Sequence, residues 1–202
     1  MQALSKPRPR ETPRATMGVL LLIASESVFF LLLILAYVFY RNSPGNRGGP
    51  TPFNTLDVLK TGIYSVCLYL SSLTVWLAER GLRRGGSRLW QGWLLMTIIL
   101  GGAFAYGQAT EYLHLLGEQK VAPGTDVFAS AFFVLTGFHG LHVIGGLILL
   151  LILLGLAMRG VFKDGAHAAA VEAVSYYWHF VDAVWVIIFP TVYLWSLMGH
   201  WR

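Results

Sequence analysis

Residues 127–157 read VFASAFFVLTGFHGLHVIGGLILLLILLGLA, an apolar run whose only ionisable side chains are His139 and His142. A bilayer's hydrocarbon core takes about 20 residues of helix to cross, and this run exceeds that length. No water is available there to pair backbone N–H and C=O groups. A helix pairs them within itself, so the run predicts a membrane-spanning helix. The alternation of apolar and polar residues that a membrane barrel requires is absent.

Working outward, four more stretches have the same character: 17–40, 58–79, 89–113 and 170–198. The fold class is all-α, an integral membrane bundle of five transmembrane helices. Residues 1–16 form a polar, basic tail, and 17–202 form a single five-helix domain. The stretch 17–40 is too long for a signal-peptide core, and no small-residue cleavage site follows it, so it reads as a retained first helix. The linkers are turn chemistry: RNSPGNRGGPTPFNTLD at 41–57 is rich in Gly, Pro and Asn. Neither an internal repeat nor a soluble domain is visible.

Composition agrees. Apolar residues make up 55% of the 202 and charged residues 12%, about half the charged share of a soluble domain. The net charge of +5 argues for topology and not for nucleic acid, because the basic residues flank the apolar runs. With the N-terminus in the cytoplasm, the inside segments hold ten Lys and Arg (Lys6, Arg8, Arg10, Arg14, Arg80, Arg83, Arg84, Arg88, Arg159, Lys163) and the outside segments five (Arg41, Arg47, Lys60, Lys120, Arg202). That excess predicts N-terminus inside and C-terminus outside. Trp90, Trp93, Trp195 and Trp201 lie near segment ends, where an aromatic belt is expected. Cys67 stands alone, so an intrachain disulfide is excluded, and without a Cys/His cluster a structural zinc site is not expected.

Ionisable residues inside the runs point to function, since each is costly in hydrocarbon. Glu26, flanked by Ser25 and Ser27, reads as a site for a lipid headgroup, a proton or a partner subunit; the plainer reading is a protonated carboxyl bonded to a neighbouring helix. Gln108 and Glu111 share a helix face near the outer end of the third helix, where a solvated helix end is the expectation for Glu111. His139 and His142 also share a face. Without further ligands or a His-Glu metal pattern they suggest interhelical hydrogen bonding or lipid contact more than metal. Gly137, Gly140, Gly145 and Gly146 on the same helix suggest close packing. Glu172, His179 and Asp182 lie in the fifth helix, where His179 is spaced to pair with Asp182 or Ser175. Tyr176, Tyr177 and Trp178 read as packing or anchoring residues, and Pro190 should kink the helix.

Five stretches carry a family resemblance. SAFFVLTGFHGLHVIGG at 130–146 and EAVSYYWHFVDAVW at 172–185 resemble long signatures of subunit III of the haem–copper respiratory oxidases, the cytochrome c oxidase subunit 3 family. QATEY at 108–112, SESVFF at 25–30 and, more loosely, NTLDVLKTGIYSVCLYLSS at 54–72 resemble further segments of it, in order from about residue 17 to 198. The resemblance is to the short five-helix bacterial form. It matches the last five of the usual seven helices, the first two of which form one wall of a lipid-holding cleft.

The resemblance implies a non-catalytic subunit of a proton-pumping terminal oxidase that reduces oxygen to water in a bacterial cytoplasmic (inner) membrane. Such a subunit packs on subunit I, binds phospholipids, and sustains proton uptake and stability. Catalytic, cofactor and metal residues are expected in none of its positions. Haems and copper belong to subunits I and II, cytochrome c is the electron donor, and a small subunit IV is a further possible partner. Glu26, Glu111, His139, His142, His179 and Asp182 fall on motif positions and are the candidates for lipid or subunit-interface contacts. The alternatives are a quinol oxidase subunit III or nitric-oxide-reductase accessory subunit and, from another class, a stand-alone transporter or proton channel. The last finds no support in an inverted repeat or paired broken helices.

Overall fold

The structure, a computed structural model, describes residues 14–41, 56–84, 88–118, 120, 122–124, 127–162 and 168–195. The expected tail up to residue 13, nearly all of the 41–57 linker, and the end of the fifth predicted helix with Trp201 lie outside the described residues. The elements are α1 (Arg14–Arg41), α2 (Val58–Arg83), α3 (Leu89–Gly117), α4 (Val127–Met158) and α5 (Ala168–Phe189), the last continuing into a π-helical turn, Pro190–Leu194. All five helices are long and apolar enough to span a membrane.

Three helices run several residues further than the apolar pattern indicates: α1 begins at Arg14, inside the expected 1–16 tail, α2 continues past 79 to Arg83 and α3 past 113 to Gly117. The apolar pattern marks the hydrocarbon boundary, and backbone hydrogen bonding carries the helix beyond it. At 1.5 Å per residue the 29 residues of α3 reach about 43 Å, well over the ~30 Å core. The polar residues that stopped the sequence reading, Arg80, Arg83 and His114, occupy last turns, where cations meet the negative helix end.

The ends follow local chemistry. Asp57 caps α2, its carboxylate accepting from the Lys60 N–H at 3.0 Å. Past α4, Gly160 takes a φ of 79°. There its N–H donates to the Ala157 carbonyl (3.0 Å) and the Val161 N–H to the Leu156 carbonyl (3.2 Å). That is the Schellman closure, which needs the left-handed residue glycine supplies. At Pro190 the missing N–H is accommodated by the π turn, and Tyr193 within that turn is fully buried.

α5 is the hub, packing on α1, α2 and α4, while α2 and α3 form the most extensive pair. In the most apolar window of α5 half the residues are buried (50%), whereas in α1 only 6% are. The Trp178 ring fixes α5 against α3 and α4: a methyl group on Gly101 or on Gly146 would lie 2.7 Å from it. The α4 glycines therefore do not bring helix backbones together as expected; Gly146 forms a notch for the Trp178 ring. Tyr177 and Tyr112 hydroxyls stand 3.6 Å from where methyls on Gly145 and Gly137 would be, and a methyl on Gly140 would meet nothing described within 4 Å. The aromatic belt is partial. Trp93 and Trp195 are exposed, but Trp90 is buried edge-on to Phe162.

Candidate functional site

The polar residues of α2 and α5 meet as a ladder through the bundle interior. The Trp185 indole N–H donates to Ser65 Oγ (2.8 Å), and Ser65 donates onward to its own helix at the Thr61 carbonyl (2.8 Å). One level away, Trp178 Nε1 donates to Ser71 Oγ (2.9 Å), which donates to the Leu68 carbonyl (2.6 Å). Each serine accepts across the interface and donates within its helix, so both hydroxyl functions are used. Thr74 meets Thr97 of α3 at 2.8 Å. Sequence reasoning read none of these serines and threonines as site residues; the one signal was the recurrence of Thr61, Ser65, Ser71 and Ser72 along α2.

Beside the Ser71 rung, Ser72 Oγ lies 3.0 Å from His179 Nδ1 and also bonds Asp182 Oδ2. His179 and Asp182, expected to pair directly, are bridged by a serine from another helix. Ser175 does not pair with His179: its buried hydroxyl finds no partner among the described residues. In a hydrolase the imidazole stands between serine and carboxylate. Here the serine stands in the middle, so the trio is not wired to activate a nucleophile.

Glu111 departs from its expectation. It is not a solvated helix end but only 5% exposed, with Oε2 accepting from Tyr193 OH (2.8 Å) and Thr61 Oγ1 (3.0 Å). The π turn supplies the tyrosine and α2 the threonine, so one carboxyl ties α3 to two other elements. Oε1 has no partner among the described residues.

Glu26 and His142 meet across α1 and α4. Glu26 Oε2 stands 3.3 Å from His142 Nε2, with side chains 26% and 17% exposed. His142 Nδ1 is 2.7 Å from the Phe138 carbonyl. A carbonyl only accepts, so Nδ1 carries hydrogen. Nε2 then either accepts from a neutral carboxyl or, protonated, donates to a carboxylate; in both states the pair has no net charge. His139 does not share this setting. It is fully buried, stacked on Trp185 (4.8 Å, 23°) and edge-on to Phe104 and Phe30, with neither ring nitrogen partnered among the described residues. Expected as a lipid or interface contact, it has no surface to offer.

At one end of the bundle Arg83 bridges Glu79 (3.0 Å) and Glu172 (2.8 Å), and Tyr176 OH donates to Glu172 (3.0 Å). Among the described residues no group of three or more His, Cys, Asp or Glu is placed to hold a metal ion. The arrangement joins helices and, on the flank where α1 meets α4, presents the Glu26–His142 pair part-way to the surface.

Comparison with known proteins adds to this geometry. The family model for cytochrome c oxidase subunit III matches residues 12–197. The chain is 40% identical over 179 residues to the "Cytochrome c oxidase subunit 3" of Synechocystis sp., covering 88% of this chain and 74% of that one. It is 36% identical over 181 residues to the "Probable cytochrome c oxidase subunit 3" of Nocardia farcinica, covering 88% and 86%. Against the "Cytochrome c oxidase subunit 3" of Corynebacterium diphtheriae it is 37% identical over 183 residues, again covering 88% and 86%.

Proposed function

Since the chain belongs to the cytochrome c oxidase subunit III family, and so to an oxidase complex, we propose that it serves there without a redox centre of its own. In this reading the haems and copper sit in subunits I and II, cytochrome c feeds electrons to the complex, and proton-translocating oxygen reduction happens outside this chain. The chain packs on subunit I, holds phospholipid, and sustains proton uptake and the lifetime of the enzyme. It lies in a bacterial cytoplasmic membrane with its N-terminus inside, as the ten-to-five bias of basic residues supports.

The observation that carries this reading is the Glu26–His142 pair. A titratable pair is kept part-way to the surface of a membrane helix only at a cost, and it offers hydrogen-bonding groups to whatever covers α1 and α4. The interior carboxyls, by contrast, join helices of this chain to each other. The test is Glu26→Gln in the purified oxidase, with bound phospholipid and activity over repeated turnovers measured. We expect assembly to persist while lipid retention or sustained activity falls; unchanged values for both remove Glu26 from the site. Depleting the whole chain, with turnover and proton stoichiometry followed together, tests the wider reading. A complex that loses neither lifetime nor pumping without this subunit defeats it.

A further inference from the structure

A second feature lies apart from that pair. A groove of about 550 Å³ runs between α3 and α4, lined by Phe104, Gln108 and Tyr112 on one wall and Phe133, Gly137 and Gly140 on the other, among other residues, with Pro123 included. Neither Glu26 nor His142 lines it. Val134, Phe138, Leu141 and Ile144 along it are exposed, so in a membrane the groove opens toward lipid.

The polar groups on its walls decide what fits. The Thr136 hydroxyl donates to the Phe132 carbonyl at 2.7 Å, so the Tyr112 hydroxyl, 2.6 Å from Thr136 Oγ1, is the donor in that pair. Both donors are thereby satisfied. Gln108 is different: it is only 8% exposed, and its Nε2 has no acceptor among the described residues. A buried carboxamide N–H₂ in an otherwise apolar groove calls for a carbonyl on whatever lies there.

Depth narrows the choice. Gln108 is five residues before position 113, where the apolar pattern of α3 ends, about 8 Å along the axis. The amide therefore lies within about one and a half turns of the hydrocarbon boundary, on the side of the loop that carries Pro123 and the exposed cation Lys120. An ester-linked phospholipid has its carbonyls at that level, an acyl chain below and an anionic phosphate above. We infer that the α3–α4 groove is a seat for one acyl chain of a phospholipid, with Gln108 Nε2 donating to its ester carbonyl.

The experiment uses the intact oxidase in phosphatidylcholine vesicles containing phosphatidylglycerol with a diazirine in one acyl chain. After illumination, labelled peptides are mapped by mass spectrometry. Groove residues 133–141 are expected to label well above the exposed α2 positions Ile63, Val66 and Leu70. Gln108→Leu keeps the shape but removes the donor and should lower groove labelling about three- to tenfold, the worth of one hydrogen bond. Gly140→Leu, where an added methyl meets open space, should abolish it by filling the groove. Should Gly140→Leu fail to assemble, Gln108→Leu alone decides. Glu26→Gln should leave groove labelling unchanged, which separates this proposal from the preceding one. Labelling equal to that of the exposed α2 positions and indifferent to Gln108→Leu overturns the inference. So does a benzophenone side chain at position 141 that captures a neighbouring oxidase subunit in place of lipid.

Discussion

The α1 flank and the α2–α3–α5 interior are both apolar in sequence, yet they are built differently. The interior is fixed by aromatic rings seated in glycine notches and by indole–serine rungs: Trp178 between Gly101 and Gly146, and Trp185 on Ser65. The flank is one helix laid against α4 and α5. It is held by ring edges such as Phe30 to His142 (4.9 Å) and Phe29 to Phe138 (5.0 Å), and by the Glu26–His142 pair. Lipid tails are as apolar as leucine, so apolar area by itself gives no reason for two helices to associate in a bilayer. Shape and hydrogen bonds decide where the bundle is rigid, and the interior has more of both.

The hardest test of that contrast is Trp178→Ala. It empties the space between two glycines and leaves Ser71 Oγ without its donor. The expected loss is about 3–5 kcal/mol of chain stability, read as a shifted denaturant midpoint in lipid–detergent micelles. A loss near that of an exposed leucine would mean the interior is not the rigid part. Next comes Glu111→Ala, which strips the acceptor from Tyr193 and Thr61 in a buried site. About 1–3 kcal/mol is expected. Glu111→Gln keeps an accepting oxygen and should recover most of it; equal losses for the two would show that charge, not hydrogen bonding, matters there. On the flank, Glu26→Ala removes a longer contact at a half-open site. Its cost to the chain should stay near the ~0.6 kcal/mol typical of polar pairs in membranes, measured in the same micelles.

The two carboxyls also show where sequence reading stops. The number, type and order of the helices were legible, because continuous apolar runs have one solution in lipid. Which face of each helix points inward was not. In a soluble protein a polar stripe marks the outside, but α1, α3 and α4 are apolar all round. So Glu111, near a helix end, read as solvated when it is enclosed, and His139 read like His142 although three residues turn it from the half-open flank into an aromatic cage. The partner of His179 and Asp182 is Ser72, more than a hundred positions away, which local spacing cannot supply. What was available was the recurrence of Thr61, Ser65, Ser71 and Ser72 on one helix opposite Trp178 and Trp185, seven apart on another. Small hydroxyls facing indoles are a packing signal in a membrane, where an unpaired N–H has no water to turn to.

The smallest effect is expected where the comparison is sharpest, at Leu31 and Leu35 on α1, which are 54% and 55% exposed. In water, truncating two such side chains would matter little because they are already solvated. In lipid it should matter little because leucine and acyl chain are equivalent neighbours. Leu31→Ala with Leu35→Ala should therefore change chain stability by less than about 0.5 kcal/mol in the micelle assay. Within the assembled oxidase the same double substitution asks a further question. If this face touches only lipid, the chain should stay with the complex through detergent washing as firmly as the unmodified chain does. Loss of the chain from the complex with its own stability intact would mean that the flank is loose within this chain because another subunit completes its packing.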